Sequence, residues 1–272
     1  MGRKIHHESL DYHFELTETP RRIVSLVSSA TEAIDKMGLI DALVGVSAYC
    51  HRYVPDLKAP VCGEYLSGDM DRIKALEPDL ILTTGGAQLK LAGMLAREGF
   101  PVYALPLPRS FYGILDNIHL LGALMNELKK ARELASAMHT RADQLRRRAP
   151  VTRPKIHLEL WLGRHMRATG GASFINDLVE IAGCDLIFQY HTQGYFTPDF
   201  DTVCTMEPDV YLFFHEPEHL IDPAQLVQQR NWNPDTRIIV STVKCGENMI
   251  QDGPSLLDTA EWLQRQLTSP AH

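Results

Sequence analysis

Met70-Asp71-Arg72-Ile73-Lys74-Ala75-Leu76-Glu77-Pro78-Asp79-Leu80-Ile81-Leu82 reads as a short helix opened by an acid, an E-P-D turn and an apolar strand. The same succession returns as Phe200-Asp201-Thr202-Val203-Cys204-Thr205-Met206-Glu207-Pro208-Asp209-Val210-Tyr211-Leu212. A unit of this length that recurs once, with no third copy, implies two related lobes rather than a solenoid.

Outward from the first copy, the neighbouring segments alternate between strand and helix. Arg21-Arg22 precede the apolar run 23–27, and Ser29-Ala30-Thr31-Glu32 supplies a capping-box pattern before an apolar-periodic stretch that ends at Gly38. Further strands are expected at 43–46, 79–83 and 102–105, and helices at 70–76 and 89–99. Alternation of this kind predicts a parallel sheet covered on both faces. Around the second copy the strand anchors are 155–160, 210–214 and 237–241, with a helix at 173–182. Between the two halves, 110–148 is rich in Leu, Ala, Glu, Lys and Arg and is interrupted only by Gly113 and Gly122. A split near Asn126 leaves a second helix from about Glu127 to Arg148, roughly 33 Å long at 1.5 Å per residue. The expected fold is therefore α/β, with two Rossmann-like, parallel-sheet lobes at 1–126 and 150–272 joined by one long backbone helix at 127–149, and a ligand cleft between the lobes.

Composition narrows the function. The chain has 272 residues, 44% of them hydrophobic, which is enough to bury a core in each of two lobes. A net charge of −7 gives no basic bias, so nucleic acid and anionic membrane are poor partners. No window is long and apolar enough for a membrane span. The start, Met1-Gly2-Arg3-Lys4-Ile5-His6-His7-Glu8, lacks the apolar segment of a secretory signal. The chain is thus expected to be cytoplasmic if Met1 is its native start, and periplasmic or surface-anchored if a leader has been removed. Cys50, Cys62, Cys184, Cys204 and Cys245 are odd in number and scattered, which points to packed thiols rather than a disulfide framework.

Pro20-Arg21-Arg22-Ile23-Val24-Ser25-Leu26 leading into Ala30-Thr31-Glu32, then Gly45-Val46-Ser47, the two E-P-D units and Gly253-Pro254-Ser255 at the start of a last helix, stand in a definite order. Together they resemble the cluster A (class III, helical-backbone) substrate-binding proteins of ABC importers, the group that binds vitamin B12, ferric siderophores and haem. The likeness spans nearly the whole chain. It implies a corrinoid or other metal chelate as ligand, with no intrinsic cofactor and with the cobalt or iron brought by the ligand. It also implies an ABC permease as partner and a monomeric receptor. In that family an acid near the start of each repeated helix meets basic residues of the permease, and Asp71 and Asp201 match those positions, where the family more often has Glu. An acid in the first turn also suits the helix dipole. A receptor of that group has to cross a membrane, so without a leader the alternative is a cytosolic carrier.

In doubly wound lobes the ligand meets the loops at the carboxyl ends of the strands. Those loops carry Tyr49, His51 and Tyr65, then Arg109, in the first half, and Trp161, Arg164, His165, Tyr195 and His215 in the second. Tyr49, Tyr65, Trp161 and Tyr195 offer apolar faces to a flat macrocycle, and Arg109 and Arg164 offer planar forks of donors to carboxylates. For any one aromatic the alternative is ordinary packing; their recurrence after several strands is the signal. His51, His165 and His215 each follow a strand end. One of them is a candidate axial ligand to a chelated metal, or the three together are candidate ligands of a bare zinc-like ion in a metal-dependent enzyme, a chelatase or small-molecule hydrolase. Against the enzyme, the sequence has no G-x-S-x-G elbow, no P-loop and no G-x-G-x-x-G. Gly85-Gly86 and Gly170-Gly171 read as loops whose backbone amides approach a ligand.

Overall fold

An antiparallel hairpin opens the chain, formed by β1 (Arg3–His7) and β2 (Tyr12–Leu16), in a segment whose sequence reads only as a polar lead-in. Its strands alternate as half-buried pleats do: Phe14 and Leu16 face inward with His7, while Lys4, His6, His13 and Glu15 face solvent. The hairpin is pinned to its own lobe. The Arg3 guanidinium donates to the Ala123 and Leu124 carbonyls, His7 Nε2 donates to Ala104 O at 2.8 Å, and Tyr12 Oη donates to Phe100 O at 3.0 Å.

The elements that follow are β3 (Ile23–Ser25), α1 (Ser28–Lys36), β4 (Leu43–Ser47), β5 (Val61–Gly63), α2 (Met70–Ala75), β6 (Leu80–Thr84), α3 (Leu89–Arg97) and β7 (Val102–Leu105). The five strands from β3 to β7 form one parallel sheet in the order β5-β4-β3-β6-β7. Val24, Leu26, Ile81 and Val102 of the strand region pack with Ile73, Leu91 and Leu95 of the covering helices. The capping box expected at Ser29 does not form. Helix α1 already begins at Ser28, after an extended Val27 and with no side-chain cap, and Thr31 and Glu32 are buried inside it. Next come α4 (Phe111–Leu124) and α5 (Leu128–Arg147), separated by Asn126 in the left-handed region at φ 58°. Asn is one of the few residues that adopts this conformation readily.

The remaining elements are β8 (Lys155–Leu162), β9 (His165–Thr169), α6 (Phe174–Ile181), β10 (Asp185–Leu186), β11 (Tyr195–Phe196), α7 (Phe200–Thr205), β12 (Val210–His215), α8 (Pro223–Gln229), β13 (Arg237–Ser241) and α9 (Leu256–Thr268). This sheet runs β11-β9-β8-β12-β13, with β10 also paired to β8. Strands β8, β10, β12 and β13 are parallel, but β9 and β11 are antiparallel additions that the βα alternation did not announce. Their origin is local: β8 reaches Leu162 and turns back at once through Gly163 (φ 58°) and Arg164 into His165.

This computed structural model describes residues 2–268. Its chain forms two compact units, Met1–Pro108 with Tyr112–Ala137, and Arg109–Phe111 with Met138–His272, so the boundary falls within α5. The two copies of the repeat use the same devices. Asp69 and Asp199 cap α2 and α7 by accepting from Arg72 N at 3.0 Å and Thr202 N at 3.2 Å. Glu77 (φ 42°) and Glu207 (φ 47°) then end each helix turn in the left-handed region. The acid after each proline clamps the neighbouring strand: Asp79 accepts from Arg21 N at 2.7 Å and Arg22 N at 2.9 Å, and Asp209 accepts from Lys155 N at 2.8 Å. The registers agree as well, Ile23 with Leu80 and Ile156 with Val210.

Candidate functional site

In the first unit, the loops at the carboxyl edge of the parallel sheet are tied together by one side chain. Gln88 is fully buried just past β6, where its Oε1 accepts from Thr84 N at 2.8 Å. Its Nε2 donates to Leu26 O at 3.1 Å, after β3, and to Tyr65 O at 2.6 Å, after β5. Tyr65 itself is 46% exposed on this anchored backbone. After β4, Tyr49 and His51 lie half-buried in a single 3-10 turn around buried Cys50, whose thiol sits within 3.0 Å of Thr31 Oγ1 and 3.2 Å of Ser47 Oγ. One face of the Tyr49 ring is covered by the Arg52 guanidinium, 4.7 Å from its centroid.

The second unit carries a structured cluster of its own. The pleat of β8 puts His157, Glu159 and Trp161 on one face. Glu159 is fully buried, and its Oε1 accepts from Arg230 Nη1 at 2.5 Å and from His157 Nε2 at 3.1 Å. Its Oε2 accepts from Trp161 Nε1 at 3.1 Å. Burial alone would raise the Glu159 carboxyl, but the hydrogen bonds and charges of His157 and Arg230 outweigh it and hold the group below the usual carboxylate value. The Arg230 guanidinium is sandwiched in turn, 4.1 Å from the Phe200 centroid and 4.7 Å from that of Trp232. None of this was read from the sequence. The one available signal was the alternation in Lys155-Ile156-His157-Leu158-Glu159-Leu160-Trp161, which gives a buried-looking strand a polar face.

This network fixes the indole of Trp161 at the carboxyl end of β8. His215 of β12 pairs in register with Trp161, so the two share a face on adjacent strands. Because β9 runs antiparallel, His165 returns to the same end of the sheet, but it pairs with Leu162 and so points to the face opposite Trp161 and His215. The turn between them is held by Glu216 Oε2, which accepts from Gly163 N at 2.8 Å, and Arg164 is exposed in that turn. Trp161 and His215 thus share one face at this end of the sheet and offer an aromatic ring and an imidazole, with the exposed guanidinium of Arg164 in the adjoining turn, while His165 lies on the other face.

Two other expectations fare differently. Tyr195 lies in edge strand β11 opposite Thr169, a register that sets it four residues down β9 from His165, roughly 13 Å from the turn at 3.3 Å per residue. Gly170 and Gly171 do not present amides to a ligand. Their N–H groups donate to Gly194 O and His191 O, both at 3.0 Å, and a Cβ at either glycine would meet the backbone of 189–193 within 2.4 Å. Gly85 N likewise donates to Leu105 O, at 2.7 Å. The glycines serve close approach between segments of the chain itself. Arg109 is exposed in the segment before α4, which Asp177 of α6 anchors by accepting from Phe111 N at 2.7 Å. Burial raises the Asp177 carboxyl above its usual value, a shift that this hydrogen bond only partly opposes.

The sequence pattern of the periplasmic binding protein family covers residues 23–233. The chain belongs to the periplasmic binding protein family. It is similar to vitamin B12-binding proteins of Yersinia pestis (strain Pestoides F) and Yersinia pseudotuberculosis (strain IP 31758), at 24% identity over 93% of this chain and 88% of each relative. Among solved structures, the periplasmic haem-binding protein of Vibrio cholerae superposes with a TM-score of 0.76 at 19% identity, covering 93% of this chain and 100% of that one. The periplasmic vitamin B12-binding protein of the same organism gives 0.69 at 22% identity, over 91% and 96% of the two chains. At these identities the structural likeness speaks for the fold. Periplasmic binding proteins take up small ligands for ABC permeases and are not enzymes, so the metal-dependent enzyme built on His51, His165 and His215 is set aside. Among the described residues, no helix is long and apolar enough to cross a membrane.

Proposed function

We propose that this periplasmic binding protein captures a metal-containing small molecule, a corrinoid in first place and a ferric siderophore or haem after it, and passes it to an ABC permease. The observation that carries the reading is the face shared by Trp161 and His215, with Arg164 in the turn beside it. An indole locked from behind by a buried carboxylate is a rigid apolar face for a flat macrocycle, and it is flanked by donors suited to an amide or carboxylate rim. The likeness to vitamin B12-binding proteins over most of the chain supports the corrinoid, whose cobalt would come with the ligand. Tyr49, His51, Tyr65 and Arg109 are proposed as further contacts, with His165 and Tyr195 weaker ones, the first because it points to the other face of the sheet and the second because of its place down the sheet edge. Asp71 and Asp201, exposed in the first turns of α2 and α7, are proposed to meet basic residues of the permease.

The test is a series of thermal melts and absorbance titrations of the purified chain with cobalamin, cobinamide, haem and ferric siderophores. A ligand at 100 times its dissociation constant should add about 2.7 kcal/mol of stability. Trp161→Ala should weaken binding of the ligand that produces the shift. A set of flat melting curves across all four ligands contradicts the proposal.

A further inference from the structure

The solvent face of the opening hairpin gathers three metal-ligating groups that the binding edge does not use. His6 and His13 are direct cross-strand partners on β1 and β2. Their imidazoles stack with centroids 4.1 Å apart and planes 12° from parallel. Asp11 closes the tight turn between the strands in the left-handed conformation (φ 42°, ψ 50°), and its N–H donates to Glu8 O at 3.0 Å. Gly and Asn take this conformation at least as readily, yet Asp adds a charge, and its Oδ1 stands 3.5 Å from His6 Nε2. One ligand atom from each of the three residues lies within 4.8 Å of the other two.

We propose that this hairpin binds one divalent late first-row transition ion, Zn²⁺ or a neighbour in the series, through His6, Asp11 and His13. Two nitrogens and a carboxylate oxygen are ligands that such ions favour. Ligand atoms about 2.0–2.1 Å from a tetrahedral zinc are roughly 3.3 Å from one another, close to the His6–Asp11 spacing already present. Converging the second imidazole takes a side-chain rotation, which solvent on that face leaves room for because all three residues are exposed. The frame beneath them is fixed rather than frayed. On the opposite face His7, Phe14 and Leu16 are buried, and Arg3 and Tyr12 bond the hairpin to the rest of its unit. Three protein ligands leave at least one coordination position to water, so the ion should exchange freely with chelators.

Calorimetric titration of the tag-free, chelator-stripped full chain with ZnCl₂ tests the site, with His6→Ala, His13→Ala, Asp11→Asn and the control His139→Ala alongside. One equivalent should bind. The dissociation constant should rise at least tenfold in each of the two hairpin histidine variants, rise less in Asp11→Asn, and stay unchanged in His139→Ala. Metal-free melting temperatures of the variants should match that of the parent, since the substituted side chains face solvent; Asp11→Asn, which keeps the turn conformation, gives a second reading if a histidine variant loosens the strands. Uptake below a tenth of an equivalent, or an affinity that neither histidine variant alters, overturns the proposal.

Discussion

Replacing Arg230 with methionine should strand a negative charge in the core of the second unit. Glu159 is completely shielded from solvent and Arg230 nearly so, and their contact is 2.5 Å. Removing one partner of a buried pair costs about 3–5 kcal/mol, because the remaining charge stays desolvated. Loss of the stacking on Phe200 and Trp232 should add about 0.5–1 kcal/mol for each ring. A total of about 4–7 kcal/mol is a large share of the stability of an ordinary domain, about 5–15 kcal/mol. Urea unfolding followed by tryptophan fluorescence reads the effect where it occurs, since Trp161, Trp232 and Trp262 all belong to the second unit. The sign of the pH dependence adds a second check. In the parent, the depressed Glu159 carboxyl contributes stability that is present above its unfolded value of about 4.3 and is lost as pH falls through the lower folded value. In Arg230→Met, burial is opposed by His157 alone, and protonation relieves the under-compensated charge, so the deficit should be greatest at neutral pH and shrink toward pH 4.5. The double variant Glu159→Leu with Arg230→Met should recover most of the loss. A deficit under about 1 kcal/mol at pH 7, or one that grows on acidification, would refute the view of Glu159 as a buried anion held by Arg230.

Gln88→Leu removes three hydrogen bonds worth about 0.5–1.5 kcal/mol each, so a loss of about 2–4 kcal/mol is expected in the unfolding of the first unit followed by circular dichroism; a change under about 0.5 kcal/mol contradicts the role given to it. Burial pushes the Cys62 thiol up to about 11 and Cys184 up to about 12 and also raises Cys50, whereas Cys204 and Cys245 are exposed. Native protein should therefore show two fast thiols of its five toward a disulfide reagent at pH 8, with three or more counting against the packing described. Arg164→Ala should leave stability within about 0.5 kcal/mol while weakening a carboxylate-bearing ligand by roughly tenfold, as loss of one charged hydrogen bond implies. Equal affinity in the variant and the parent would remove Arg164 from the binding edge.

The architecture was legible where a local rule and the tertiary fold agree. The E-P-D units announce their turns because proline stops the helix and the acid before the strand is a clamp, and Asn126 marks the break between α4 and α5. What the sequence did not disclose are contacts whose partners lie far apart along the chain. Gln88 looks like one polar residue among others between β6 and α3, and only the fold brings Leu26 and Tyr65 to it. Arg230 closes a helix that says nothing of Glu159. The return strand β9 was hidden because Trp161-Leu162-Gly163-Arg164-His165 has the composition of a binding loop, and the opening hairpin because its outward positions are Lys, His and Glu. The aromatic and basic residues at the strand ends were visible as types, but registers were needed to group Trp161 with His215 and to set His165 and Tyr195 apart.

Gln88 grips Tyr65 by its main-chain carbonyl. A substitution at this position keeps that carbonyl as an acceptor, whereas inserting or deleting a residue between β5 and Gln88 would pull it away from its donor. With Tyr65 as a ligand contact, as proposed above, relatives that keep the glutamine and the loop length while differing at the tyrosine are the ones in which to look for a changed cargo.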